Sequence, residues 1–165
     1  MTIPVRHLIL VLGDQLDAFA SVWHGFDATQ DAVWMAEVDE ESTHVISSKQ
    51  RTALFLSAMR HFAAILTARG KRVFYTHLDD PNNSGTLAGE LDKTILACQP
   101  QKLVVTAPGE WRVLQSLRAV ATRHQLPLDL RDDTHFFTTV RDFAQHAQGR
   151  KQLRLEYFYR KLRIK

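Results

Sequence analysis

Several features that would assign a function class at once are scarce in this sequence or missing from it. Its 165 residues contain one cysteine, Cys98, so the chain cannot form an internal disulfide, and no cluster of Cys and His has the spacing of a zinc site. No apolar run approaches the roughly 18 residues that a membrane-spanning helix needs, and the N-terminal MTIPVRH has no secretory pattern. We therefore expect a soluble cytoplasmic protein with no metal site and no membrane partner.

The glycine-rich motifs that hold phosphates are also absent. Neither GxGxxG nor GxxxxGK followed by Ser or Thr comes after the first apolar run. Ordinary NAD-binding and ATP-binding functions are therefore disfavoured. The net charge is a mild +3, but it is unevenly distributed, because residues 149–165 are rich in Lys and Arg and contain a single acidic residue, Glu156.

What the sequence does contain is a series of apolar segments typical of buried strands. Runs without polar alternation predict strands that are covered on both faces, as in a parallel sheet. Stretches with helical spacing separate these runs, so the sequence predicts an α/β fold of successive βαβ units around a five-stranded parallel sheet. The predicted strands lie within residues 5–16, 32–38, 72–76, 102–106 and 127–130.

Capping residues indicate where the helices between these strands begin. Ser47 and Ser48 can cap a helix over residues 49–69, whose apolar stripe includes Phe55 and Met59, and Ser84 or Thr86 can begin the next helix. That second helix carries Cys98 on its apolar face, which predicts a buried core thiol. Helical spacing recurs in residues 111–121 and 140–147.

Acidic residues follow the first two strands, at the edge where open α/β sheets bind ligands. Asp14 can cap a short following helix or accept hydrogen bonds from a ligand, and the two roles are compatible. Glu37 stands where dinucleotide-binding folds place a ribose-binding acid, and its alternative is a solvated charge at a helix start. If strands one and four are neighbours at a reversal of the strand order, GDQL (13–16) and PGEWR (108–112) form two sides of one crevice. We assign Trp111 to the core, because it shares an apolar helix face with Leu114.

The final segment, residues 151–165, mixes basic residues with aromatic ones. We expect Tyr157, Phe158 and Tyr159 to pack against a missing or neighbouring domain, and we therefore expect the polypeptide to continue beyond this chain. The other interpretation is nucleic-acid binding, in which basic residues neutralise phosphates and aromatic rings stack on bases.

Four motifs then occur in a specific order: LGDQL after strand one, SAMRHF (57–62) in the long helix, PGEWR after strand four, and GRK followed by EYFYR at the end. Together they resemble the N-terminal α/β domain of the deoxyribodipyrimidine photolyase-related proteins, the bacterial iron–sulfur branch of the photolyase/cryptochrome family. The resemblance implies a Rossmann-like, doubly wound sheet of order 3-2-1-4-5, with helices on both faces, over residues 1–149. Residues 150–165 would begin a linker or helical segment leading to a helical FAD-binding domain.

The resemblance also implies cofactors. In that branch the antenna is of the 6,7-dimethyl-8-ribityllumazine type and is held near the ends of strands one and two. FAD and an iron–sulfur cluster are expected only in the C-terminal helical domain, which this chain does not contain. Carried over by position, the antenna-binding residues would be Gly13, Asp14, Gln15, Leu16, Glu37 and Val38.

The function implied by the resemblance is light harvesting for a photolyase/cryptochrome-like flavoprotein that repairs pyrimidine dimers or (6-4) photoproducts. The eight histidines form no catalytic arrangement, so this chain alone is expected to be non-catalytic. Its partners would be the C-terminal FAD domain and, through the full-length protein, damaged DNA. Two alternatives stay open: a free-standing Rossmann-like module for a nucleotide or another small ligand, and a DNA-binding protein acting through the basic tail.

Overall fold

The computed structural model describes residues 4–44 and 47–163. The strands are β1 His7–Leu10, β2 Ala32–Ala36, β3 Val73–Thr76, β4 Lys102–Thr106 and β5 Leu128–Arg131. They form one parallel sheet in the order β3-β2-β1-β4-β5. β1 is central, and its Leu8 pairs with Ala32 of β2 on one side and with Leu103 of β4 on the other. The predicted α/β fold and strand order are confirmed.

Helices connect the strands, and local capping explains where two of them begin. The Ser48 hydroxyl accepts a hydrogen bond from the Arg51 N–H (3.2 Å), and the Thr86 hydroxyl accepts one from the Gly89 N–H (3.1 Å). Among the described residues, no helix is long and apolar enough to span a membrane. The helices are α1 Asp39–Thr43, α2 Lys49–Ala68, α3 Leu87–Cys98, α4 Trp111–Arg123, α5 Val140–Ala147 and α6 Leu155–Leu162, with a 3₁₀ helix at Ser21–Trp23.

Alternate side chains of the central strands enter two separate cores. Leu8 of β1 belongs to a core that includes Leu91 of α3 and Leu117 of α4, whereas the next residue, Ile9, belongs to a core built with α2. Successive residues of a strand point to opposite faces, so helices cover both faces of the sheet, as predicted. Cys98 is 2% exposed within the first core, which confirms the buried thiol.

The assignment of Trp111 to the core is wrong. Trp111 is 69% exposed, and the guanidinium of Arg118 lies over its ring, 5.7 Å from the centroid. At 3.6 residues per turn, Trp111 is rotated by about 200° from Val113, the first buried residue of α4. Leu114, the residue predicted to share an apolar face with Trp111, is only half-buried. The buried residues of α4 are Val113, Leu117, Val120 and Ala121.

The chain divides into two compact units. The first ends at Arg131 and contains the sheet, and the second begins at Asp132 and contains α5 and α6. Phe158 of α6 packs edge-on against Phe143 of α5, with 5.2 Å between the ring centroids, and its ring lies 5.0 Å from that of His146. Phe158 therefore has partners within this unit. The two tyrosines that flank it are exposed.

Candidate ligand-binding site

A cavity of about 380 Å³ opens at the carboxyl ends of the strands. Residues that follow four neighbouring strands contribute to its wall, among them Leu12 after β1, Val38 after β2, Leu78 after β3 and Arg112 after β4. Parts of α1 and α2 complete it. This is the edge where open α/β sheets bind ligands, and the volume falls in the range of roughly 300–1,000 Å³ typical of small-molecule sites.

The sequence-predicted site residues divide into two groups. Gln15 and Leu16 lie outside the described lining of the cavity. The Gln15 side-chain amide donates to the carbonyl oxygens of Thr106 (3.3 Å) and Ala107 (3.2 Å), which ties the loop after β1 to the end of β4. Leu16 packs against the core on the α2 side. The predicted residues that line the cavity are Gly13, Asp14, Glu37 and Val38.

Gly13, in the loop after β1, lies close to side chains of α2. A Cβ atom at this position would lie 2.6 Å from Cε1 of Phe55 and 2.9 Å from the sulfur of Met59. Both distances are well inside van der Waals contact, so any side chain here would displace part of the cavity wall.

Asp14 lies exposed in the turn after β1 and borders the cavity. Among the described residues, the next helical segment is the 3₁₀ helix at Ser21–Trp23, and its N-cap is Ala20. The interpretation of Asp14 as the cap of a following helix is therefore wrong. Its carboxylate can bring hydrogen-bond acceptors to the cavity edge.

Glu37 is buried at the end of β2, so its interpretation as a solvated charge is wrong. Its carboxylate accepts hydrogen bonds from Arg60 Nε (2.6 Å) and Nη2 (2.8 Å), from the Tyr75 hydroxyl (2.5 Å) and from the Leu78 N–H (2.9 Å). Burial by itself would raise the pKa of Glu37, but these bonds outweigh it and lower the pKa to about 2. The Glu37 carboxylate already accepts four hydrogen bonds. Glu37 therefore contributes to the cavity by holding α2 and the loop after β3 in place.

Residues of α1 and α2 form the part of the cavity that sequence reasoning missed. α1 contributes Glu41 and Ser42, and α2 contributes Phe55 and Met59. The signal for α2 was present, because both residues belong to the apolar stripe of the predicted helix. Met59 is buried, but Phe55 is 41% exposed, because at that end the helix borders the cavity. α1 gave no such signal, since none of its residues is buried.

The PGEWR segment meets the loop after β1 across this cavity. Glu110 and Arg112 line it together with Gly13 and Asp14. The two segments therefore form two sides of one crevice, as the strand order predicts. β1 and β4 are neighbours in the sheet, so the loops that follow them converge.

The lining combines apolar side chains with an excess of carboxylates over guanidinium groups. Carboxylates of Asp14, Glu41 and Glu110 at the cavity outnumber the guanidinium groups of Arg51 and Arg112, an arrangement that accepts ring N–H and hydroxyl groups and disfavours a phosphate. Within residues 4–44 and 47–163, no three His, Cys, Asp or Glu side chains are grouped as ligands for a metal ion. The apolar part of the lining includes Leu12, Val38, Phe55, Met59 and Leu87.

Comparison with known proteins gives two matches. Residues 9–165 match the family described as deoxyribodipyrimidine photo-lyase-related protein. A curated relative from Agrobacterium fabrum (strain C58 / ATCC 33970), named a (6-4) photolyase, is 40% identical over 161 residues, which cover 98% of this chain and 32% of the relative. The chain thus spans about a third of the length of that relative.

Proposed function

The chain belongs to the deoxyribodipyrimidine photolyase-related protein family, and from this membership we propose that its first compact unit holds the antenna chromophore of a photolyase-type flavoprotein. The observation that carries the proposal is the cavity at the ends of β1 and β2, with its apolar floor and acidic edge. A chromophore of the 6,7-dimethyl-8-ribityllumazine type matches this lining, because it combines a flat ring with N–H and hydroxyl donors and has no phosphate.

The chain's own residues would bind and orient this ligand. A bound antenna would absorb light and transfer the excitation energy to a flavin. Val38, Phe55 and Met59 would contact the ring and exclude water from it, while Asp14 and Glu41 would accept hydrogen bonds from its polar groups. None of these residues takes part in bond chemistry, so the unit itself is non-catalytic.

The activity belongs, in this proposal, to a protein that extends beyond the chain. The relative is named a (6-4) photolyase, which favours light-dependent repair of (6-4) photoproducts over repair of pyrimidine dimers. FAD, an iron–sulfur cluster and the contact with damaged DNA would lie in the part of such a protein that this chain does not cover.

The second compact unit offers a surface for that larger part. Large apolar side chains are exposed on it, including Phe136 (71%), Val140 (73%) and Tyr159 (62%). A group of exposed apolar side chains is typical of an interaction surface. We propose that the helical FAD-binding domain covers them.

Titration of the chain with 6,7-dimethyl-8-ribityllumazine, followed by fluorescence up to millimolar concentrations, tests the antenna proposal. We expect weak but saturable binding, and we expect Asp14→Ala to weaken it further by about ten- to a hundredfold, because hydrogen bonds to charged acceptors contribute roughly 1.5–3 kcal/mol. Glu156→Gln, a change in the second unit, is the control and should bind like the wild type. Melting temperatures of both variants check the fold. Binding of ATP or NAD in preference to the lumazine would support a nucleotide-binding module instead.

A further inference from the structure

α1 forms part of the cavity wall but has no apolar anchor. This five-residue helix follows Val38 directly, Glu41 and Ser42 line the cavity, and none of its residues is buried. A helix of this length is not stable on its own. Its position must therefore depend on contacts between its polar groups and the rest of the unit.

Arg112 of α4 supplies the charged contacts. Its Nη1 donates to Oε1 of Glu40 (2.9 Å), and its Nη2 donates to Oε1 of Glu41 (2.9 Å) and to Oε2 of Glu110 (3.1 Å). The hydrogen bond with Glu41 is the main reason that the pKa of the guanidinium is raised. One guanidinium thus joins two carboxylates of α1 to the start of α4. Without it, three carboxylates would face one another with no charge between them.

Glu40 adds a second attachment. Its Oε2 accepts a hydrogen bond from the Leu87 N–H (3.3 Å) at the start of α3, and its own N–H donates to the Gly85 carbonyl (3.0 Å). Glu40 does not belong to the described lining of the cavity. Its side chain can therefore influence a ligand only indirectly, through the position of α1 or through Arg112, which does line the cavity.

We propose that Arg112 is a clamp that holds α1 against the cavity and thereby sets how firmly a ligand is retained. The ligand part of this inference rests on the proposed function, whereas the effect on α1 does not. The paired side chains of Arg112, Glu40 and Glu41 are 28–40% exposed, so dissolved ions screen them. Retention of the ligand therefore weakens as ionic strength rises.

The experiment compares Arg112→Gln, Glu40→Gln and the double variant with the wild-type chain. Arg123→Gln is the matched control, because Arg123 lies at the other end of α4 and pairs with Asp92 of α3. Hydrogen exchange of the α1 amides is measured without ligand. Binding of 6,7-dimethyl-8-ribityllumazine is measured at about 0.01 M and about 1 M salt, where the Debye length is about 30 Å and about 3 Å.

We expect Arg112→Gln to speed exchange in α1, to weaken binding by about tenfold or more at low salt, and to remove most of the salt dependence. Glu40→Gln should act in the same direction. The double variant should fall short of the product of the two single effects, because both act through one contact. Arg123→Gln should change neither exchange in α1 nor binding.

Three results would overturn the clamp. Unchanged α1 exchange in Arg112→Gln would show that Arg112 does not fix this helix, and if binding were nevertheless weaker, Arg112 would be a direct ligand contact. Faster exchange with unchanged binding would show that α1 does not control retention. Independent, multiplicative effects of Arg112→Gln and Glu40→Gln would show separate actions. If the wild-type chain bound no lumazine, the proposed function would fail, and the exchange result alone would still decide whether Arg112 holds α1.

Discussion

Replacing Arg60 by methionine tests the most deeply buried charge of the candidate site. The Glu37 side chain is 0% exposed, and two of the four hydrogen bonds that its carboxylate accepts come from Arg60. Methionine keeps an unbranched side chain on α2 but removes both donors and the positive charge. The carboxylate then stays buried with the Tyr75 hydroxyl and the Leu78 N–H as its described donors, an arrangement that is costly in a protein interior.

The magnitude follows from the pKa of Glu37. A lowering from 4.5 to about 2 corresponds to about 3 kcal/mol of stabilisation at neutral pH, at 1.36 kcal/mol per pH unit. Because the pKa is lower in the folded state, this stabilisation is fully present above pH 4.5 and is lost as the pH falls towards 2. Arg60 is 46% exposed, so water can replace part of its contribution. We therefore expect Arg60→Met to lower the free energy of unfolding by roughly 2 to 3 kcal/mol at pH 7.

Urea unfolding of wild type and Arg60→Met at about pH 7 and about pH 3, followed by circular dichroism, measures this effect. In the variant the pKa of Glu37 is higher, so the stability difference should shrink by roughly 1 to 2 kcal/mol at the lower pH. The other carboxylates titrate alike in both proteins and cancel from the difference. Arg69→Met is the control, since the side chain of this exposed arginine, at the end of α2, forms no ion pair or hydrogen bond with a described residue. A stability difference that is the same at both pH values would refute the reasoning.

Four further substitutions test other parts of the fold. Gly13→Ala places a Cβ within 3 Å of side chains of α2; we expect urea unfolding to show a loss of roughly 1–3 kcal/mol and fluorescence titration to show weaker lumazine binding, and an unchanged affinity would contradict the close approach. Leu117→Ala, at a site with 0% exposure, should cost about 2–5 kcal/mol, whereas Trp111→Ala should stay within about 0.5 kcal/mol in the same assay. Thr139→Ala removes the capping box of α5; it should cost about 1 kcal/mol and speed amide exchange at the start of that helix, and unchanged exchange would argue against the cap.

The strands and two of the helix starts, which were predicted from neighbouring residues along the chain, agree with the structure. The apolar runs of β2 and β4 became buried strands, because a strand of that composition has no polar face that could contact water. The edge strands β3 and β5 were also predicted to be buried, but they are only partly buried, because each has a neighbouring strand on one side only. Ser48 and Thr86 begin helices, because a side-chain oxygen at the N-cap accepts a hydrogen bond from an N–H of the first turn, which has no partner within the helix. Asp14 and Glu37, which follow β1 and β2, both line the cavity, since strand ends of a parallel sheet share one edge.

The exact role of each residue depended on partners distant in sequence. Glu37 was predicted as a ligand-binding or solvated acid, but Arg60 and Tyr75, at separations of 23 and 38 residues, bind its carboxylate. Trp111 was predicted as core, but the way α4 packs on the sheet turns it to solvent.

The sequence by itself therefore determined the strands, the main helices, the family motifs and the edge of the sheet that bears the cavity. Only the tertiary structure decided which acids are neutralised by internal partners, which aromatic ring is buried, and that Arg112 joins α1 to α4. The physical reason is that apolar periodicity and capping act between residues a few positions apart. Burial and ion pairing depend on which side chains come into contact when the elements pack, and the local sequence pattern does not specify those contacts.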